Sequence, residues 1–130
     1  IMSNTAEFTI SVDGERTLEK WHGSFTCKTV LTFRDQLRRD SVRRELLAGL
    51  NPESATPRAT NIADIFSDLA VRIVKAPAWW TEKGNGLDLE DEAVTAAVYN
   101  CAMAKEADAI AALQKKAEEA LADLRKVTPQ

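Results

Sequence analysis

No glycine or proline interrupts the chain from Leu87 to Thr128. A stretch that long without a breaker predicts one long helix, from a cap at Asp88 to about Lys126. Glu90, Asp91 and Glu92 fall in its first turn, where carboxylates complement the positive end of the helix dipole. Beyond Lys105 most residues are Ala, Glu, Lys and Leu, all strong helix formers. Ile110, Leu113, Ala117, Ala120, Leu124 and Val127 are spaced 3, 4, 3, 4, 3. That is an a/d pattern over about two and a half heptads, the pattern of a helix that meets another helix.

The first third of the chain has a different period. Phe8, Ile10 and Val12 alternate with Thr9 and Ser11, which places three apolar side chains on one face of a strand. Asp13-Gly14 predicts a tight hairpin turn, followed by a second strand near Arg16 to Trp21. His22-Gly23 reads as the next break, before a β-branched and aromatic run from Ser24 to Val30. Two or three such strands are marginal alone and need a surface to pack on.

Helices supply it. Thr32 as cap and Asp35 three residues on predict a helix from about Phe33 to Ala48, stopped by Gly49. Pro52 and Pro57 bracket a loop, Asn51 to Arg58. The next helix begins near Asn61. Ile62, Ile65, Phe66, Leu69 and Ile73 form its apolar stripe, and Pro77 ends it. Asp68 and Arg72 on its other side are spaced for a surface ion pair. Ala78 to Gly86 reads as a loop with two adjacent tryptophans. No internal repeat is visible.

The expected fold is a single α+β domain over residues 1–130. A small N-terminal antiparallel hairpin or sheet (8–30) packs on a three-helix bundle (33–105), and the long last helix continues as an extension (106–130). The expected core contains Phe25, Leu37, Leu46, Ile62, Ile65, Phe66, Leu69, Ile73, Val94 and Val98.

An apolar fraction of 45% with 28% charged residues excludes wholesale disorder. No apolar run approaches the ~20 residues that span a bilayer, so no membrane role is expected. The first seven residues lack the blocks of a secretory signal, and two cysteines make no disulfide framework. Both points suggest a cytoplasmic chain with reduced thiols. A net charge of −3 argues against gross nucleic-acid binding.

Chemistry is sparsely equipped. His22 is the single histidine, in an expected turn, and Cys27 reads as a small apolar group on a strand. Two cysteines and one histidine are too few for a structural zinc site. The run Asp88, Glu90, Asp91, Glu92 lacks the calcium-loop pattern, and Gly84-Asn85-Gly86 lacks a phosphate-loop lysine. No catalytic residue, metal or cofactor is expected.

Two features remain. Arg34, Arg38, Arg39, Arg43 and Arg44 crowd one short helix without forming one stripe. They are solvated, lie along apolar surface, or meet an acidic partner; Arg39, Arg43 and Arg44 are the candidates for a partner. Trp79 and Trp80 follow Pro77, and an extended chain there would send one into the core and the other to an interface.

The stretches Trp21 to Thr29, Phe33 to Leu37 with Arg43 to Leu47, Ile65 to Trp80, and Gly86 to Asp91 followed by Val98-Tyr99 resemble proteins of tailed-phage structural modules. The layout over roughly residues 8 to 105 is similar to the tail assembly chaperones of long-tailed phages. That resemblance implies a non-enzymatic morphogenesis protein that binds tape measure and tail tube proteins in the host cytoplasm. The alternatives are a stable virion component, such as a capsid decoration or head-tail protein, and an effector directed at a host protein. No catalytic residues come with the resemblance. Partner contacts are expected at Arg39, Arg43, Arg44, Trp79, Trp80, Ile110, Leu113, Leu124 and Val127, with self-association through the last helix a further expectation.

Overall fold

The computed structural model describes residues 4–48, 51, 53 and 55–127. In chain order the elements are β1 (Thr5–Asp13), β2 (Lys20–Lys28), α1 (Phe33–Leu46), α2 (Pro57–Arg72), β3 (Ile73–Lys75), α3 (Ala78–Glu82) and α4 (Glu92–Val127). The strands form one antiparallel sheet in the order β1-β2-β3, and α4 packs on it. The fold is α+β.

β1 and β2 pair over their whole length in an unbroken register, Phe8 opposite Phe25 and Val12 opposite Trp21. Side-chain alternation therefore gathers Phe8, Ile10 and Val12 with Trp21, Phe25 and Cys27 on the covered face. Thr9, Ser11, His22 and Ser24 lie on the wet face, where the Thr9 and Ser24 hydroxyls meet at 2.8 Å. His22-Gly23 is mid-strand, not a turn. A Cβ at Gly23 would come within 2.5 Å of Pro77 and 3.3 Å of the Trp79 indole nitrogen, so the glycine serves close approach.

The Asp13-Gly14 turn is also replaced. Residues 14–19 form a longer loop, closed by the Gly14 N–H on the Glu19 carbonyl at 2.7 Å. Its left-handed residue is Leu18, at φ 61°. Asp91, buried just before α4, holds this loop from across the molecule. Its carboxylate accepts from the Arg16 N–H at 2.7 Å, the Thr17 hydroxyl at 2.5 Å and the Trp21 indole N–H at 3.0 Å. Asp88, the expected cap, instead belongs to the turns that precede α4, its N–H bonded to the Lys83 carbonyl.

α1 starts where expected, in a reciprocal capping box between Thr32 and Asp35. Gly49, its expected stop, lies outside the described residues. α2 starts earlier than Asn61: Thr56 caps it and Pro57 takes the first helical position, where a missing N–H costs nothing. It also ends earlier, at Arg72. The β-branched Ile73-Val74 then leaves the helix and pairs with β2 at Cys27 and Thr26.

The core joins the covered face of the sheet to Leu69, Trp80, Val94, Val98 and Ala102, with Ile65, Phe66 and Ile73 packed against it. Leu37 and Ile62 are corrections to the expected core. Leu37 is 73% exposed because the buried side of α1 is turned to α2 through arginines, and Ile62 lies on an open groove. Leu46 is half-buried. Among the described residues, no helix is long and apolar enough to cross a membrane.

Candidate functional site

α4 runs for 36 residues, about 54 Å at 1.5 Å per residue. Its first half is anchored by Val94, Val98 and Ala102, all fully buried, and by Glu106, which pairs with Arg72 at 3.1 Å. After Ala109 every described side chain is exposed. The second half is an arm that leaves the body.

On that arm Ile110, Leu113, Leu121 and Leu124 are the exposed large apolar residues, Leu113 at 49% and Leu121 at 54%. At ~100° per residue they fall with Ala117 inside an arc of about 80°. Leu121 is the member that the heptad reading missed. Ile110 and Leu121 are eleven residues apart, as are Leu113 and Leu124. An eleven-residue period follows a nearly straight helix, whereas a heptad stripe needs a left-handed supercoil. Ala120 stands at the edge of the arc, and the side chain of Val127 lies outside the described residues.

Three of the five arginines of α1 meet acids within the chain. Arg39 donates to Asp68 at 3.3 Å and Arg43 to Asp64 at 2.5 Å, both on α2, and Arg44 pairs with Asp40 one turn back. Asp68 in turn holds Arg72 through two bonds, 2.7 Å and 3.2 Å. The expected surface pair is thus a buried one, with Arg72 only 1% exposed. The Lys28 carbonyl and Glu106 take two more of its donors, so the guanidinium ties α2 to both the sheet and α4. Burial pushes the neighbouring Cys27 thiol up, against the pull of Arg72, and it packs as a neutral apolar group.

Trp79 and Trp80 sit on a helical turn, not on an extended loop, and the sheet side receives both. Trp80 is buried edge-on to Phe25 at 5.4 Å. Gly86 lies under its ring, and a Cβ there would meet Trp80 at 2.5 Å. Trp79 is half-buried, 5.1 Å from Trp21 and 5.9 Å from Phe25, and its indole N–H donates to the His22 carbonyl at 2.9 Å. Adjacent residues on a helix are ~100° apart, so one aromatic cluster can hold them both.

An open groove of about 310 Å³ lies between α2 and the start of α4, lined by Ile62, Ile65, Phe66 and Leu87. Arg58 and Glu92, ion-paired, stand at its margin. Among the described residues no cluster of His, Cys, Asp or Glu could hold a metal ion. Compared with protein-family models, with curated proteins and with solved structures, the chain matches none.

Proposed function

We propose that this chain is a non-enzymatic assembly protein that binds its partner along the arm of α4, and that it serves as a tail assembly chaperone of a long-tailed phage. The observation that carries the binding reading is the stripe Ile110, Leu113, Ala117, Leu121 and Leu124, presented on a helix with no body behind it. An apolar stripe left in water is an unfavourable surface that a partner helix or groove would cover. The tail-chaperone reading adds the partner class and rests on the likeness of Trp21 to Thr29, Phe33 to Leu37 and Ile65 to Trp80. Arg39 and Arg43 support α1 in this reading, since their charges are already met by α2.

Co-expression of the tagged chain with tape measure and tail tube proteins of a long-tailed phage tests it. The wild type should retain one of them through purification, and Leu113→Glu with Leu121→Glu should retain neither while melting at the wild-type temperature. Failure to retain either protein would overturn the chaperone reading. Equal retention by the double variant would overturn the arm as the binding surface.

A further inference from the structure

The N-terminal half of α1 carries two rows of exposed side chains. Phe33 and Leu37, 85% and 73% exposed, stand one turn apart in the first. Arg34 and Arg38, also exposed, stand about 100° further round the helix in the second. Neither of these arginines is ion-paired among the described residues. Arg39, which reaches Asp68 on α2, lies about 160° from Leu37, so the apolar row points away from α2. The result is a ridge of apolar anchors beside arginines, the chemistry enriched at protein interfaces.

The same chain carries a surface that complements the ridge. The groove of about 310 Å³ between α2 and α4 is walled by Ile62, Ile65, Phe66 and Leu87, with Leu89 at one side. Leu89 also lines the neighbouring cleft, where Glu19, Asp88 and Glu90 stand with Lys83. None of those three carboxylates is ion-paired among the described residues. An apolar trough thus runs beside an acidic one, as an apolar row runs beside a basic one on α1.

Charge selects the occupant of that groove. The arm of α4 has Glu118 and Arg125 on one flank of its stripe and Lys116 and Asp123 on the other, so it offers no basic row to the acidic cleft. A ridge facing a second ridge would set Arg34 and Arg38 against themselves.

We infer that the ridge of α1 docks into the groove of a second copy. Phe33 and Leu37 pack on Ile62, Phe66 and Leu87, and Arg34 and Arg38 reach past Leu89 to Glu19, Asp88 and Glu90. Ridge and groove lie at opposite ends of α2. α1 runs antiparallel to it, Arg39 to Asp68 and Arg43 to Asp64, which sets Phe33 level with the end of α2, whereas the groove uses Arg58 to Phe66. A chain therefore cannot fill its own groove, and the contact is heterologous. Each added copy leaves a ridge and a groove open, so growth stops only where a ring closes. The arm stays free for its own partner.

Light scattering on the full chain tests the contact. The wild type should exceed twice its 14.3 kDa mass. Phe33→Glu with Leu37→Glu removes the ridge, and Ile62→Lys with Leu87→Lys removes the groove; each double variant should stay at 14.3 kDa. Mixed in equal amounts they should form a complex of twice that mass, because one keeps its groove and the other its ridge. Leu113→Glu with Leu121→Glu, on the arm, should assemble as the wild type does. Should an apolar variant fail to fold, the exposed charges decide. Arg34→Glu with Arg38→Glu should be monomeric, as should Asp88→Lys with Glu90→Lys, and mixing these two should restore the wild-type mass. A wild type that is monomeric or stops at a dimer, variant pairs that stay monomeric when mixed, or assembly lost in the arm variant would overturn the inference.

Discussion

Asp91 links the two ends of the molecule through one carboxylate. Four donors converge on it, and they hold its pKa down at about 2, from 3.8, the Thr17 hydroxyl most, then the Arg16 N–H, with the Trp21 indole and the Thr17 N–H adding to them. A pKa lowered by folding contributes stability that is complete above 3.8 and lost as pH falls through about 2. Asp35 behaves alike, lowered to about 2 by the Lys28 ammonium first and the Thr32 N–H second. Asp91→Asn turns an amide N–H toward donors that need an acceptor. The variant should melt below wild type near neutral pH, and the gap should close as pH falls from about 4 toward 2. A gap that stays constant over that range would exclude Asp91 from the acid response. Nothing in the acidic run around residue 90 marks this role, because the donors come from a loop some seventy residues earlier.

Among the elements, α3 shows most clearly how local conformation decides what a side chain can do. Five residues of helix after Pro77 turn both tryptophans toward Trp21 and Phe25. Trp80→Ala should cost about 3–5 kcal/mol by urea unfolding, the range for a buried aromatic removed from a core. Trp79→Ala gives up three ring contacts and a bond to the His22 carbonyl, and should cost about 2 kcal/mol. An unchanged midpoint for Trp79→Ala would return that residue to the surface role its place in the sequence suggested. β1, the start of α1 and the run of α4 were legible because apolar period, a capping box and an unbroken stretch of helix formers act locally. The hairpin turn and the bounds of β2 were not, because Asp13-Gly14 and His22-Gly23 read as turns until the strands pair across them. β3 was not, because Ile73 and Val74 read equally as the end of the α2 stripe, and only pairing with Cys27 and Thr26 makes them a strand. Leu37 misled for a related reason. α1 is held by Asp35, Arg39 and Arg43, so its apolar residues do not mark its buried side.

At the scale of the molecule, a packed body ends at about Glu106 and α4 continues beyond it. The apolar residues of the arm were legible as one stripe along a helix, all but Leu121, which a seven-residue repeat skips and an eleven-residue repeat includes. Their exposure was not legible, since the same spacing suits a helix folded back on its own bundle. The body has its own reasons to be stable: Arg72 closes α2, α4 and β2 together, and the aromatic cluster fills the sheet face. Among the described residues of the arm no side chain beyond Ala109 is buried, so core packing adds little to its order in the free chain and helix propensity matters more there than in the body. Amide hydrogen exchange along α4, with and without a bound tail protein, tests this division most directly. In the free chain protection should be high from Val94 to Glu106 and fall beyond Ala109; partner binding should raise it by at least tenfold at residues 110–125 and leave the body unchanged. Protection that rises only in the body, or an arm already as protected as Val98 in the free chain, would contradict the account.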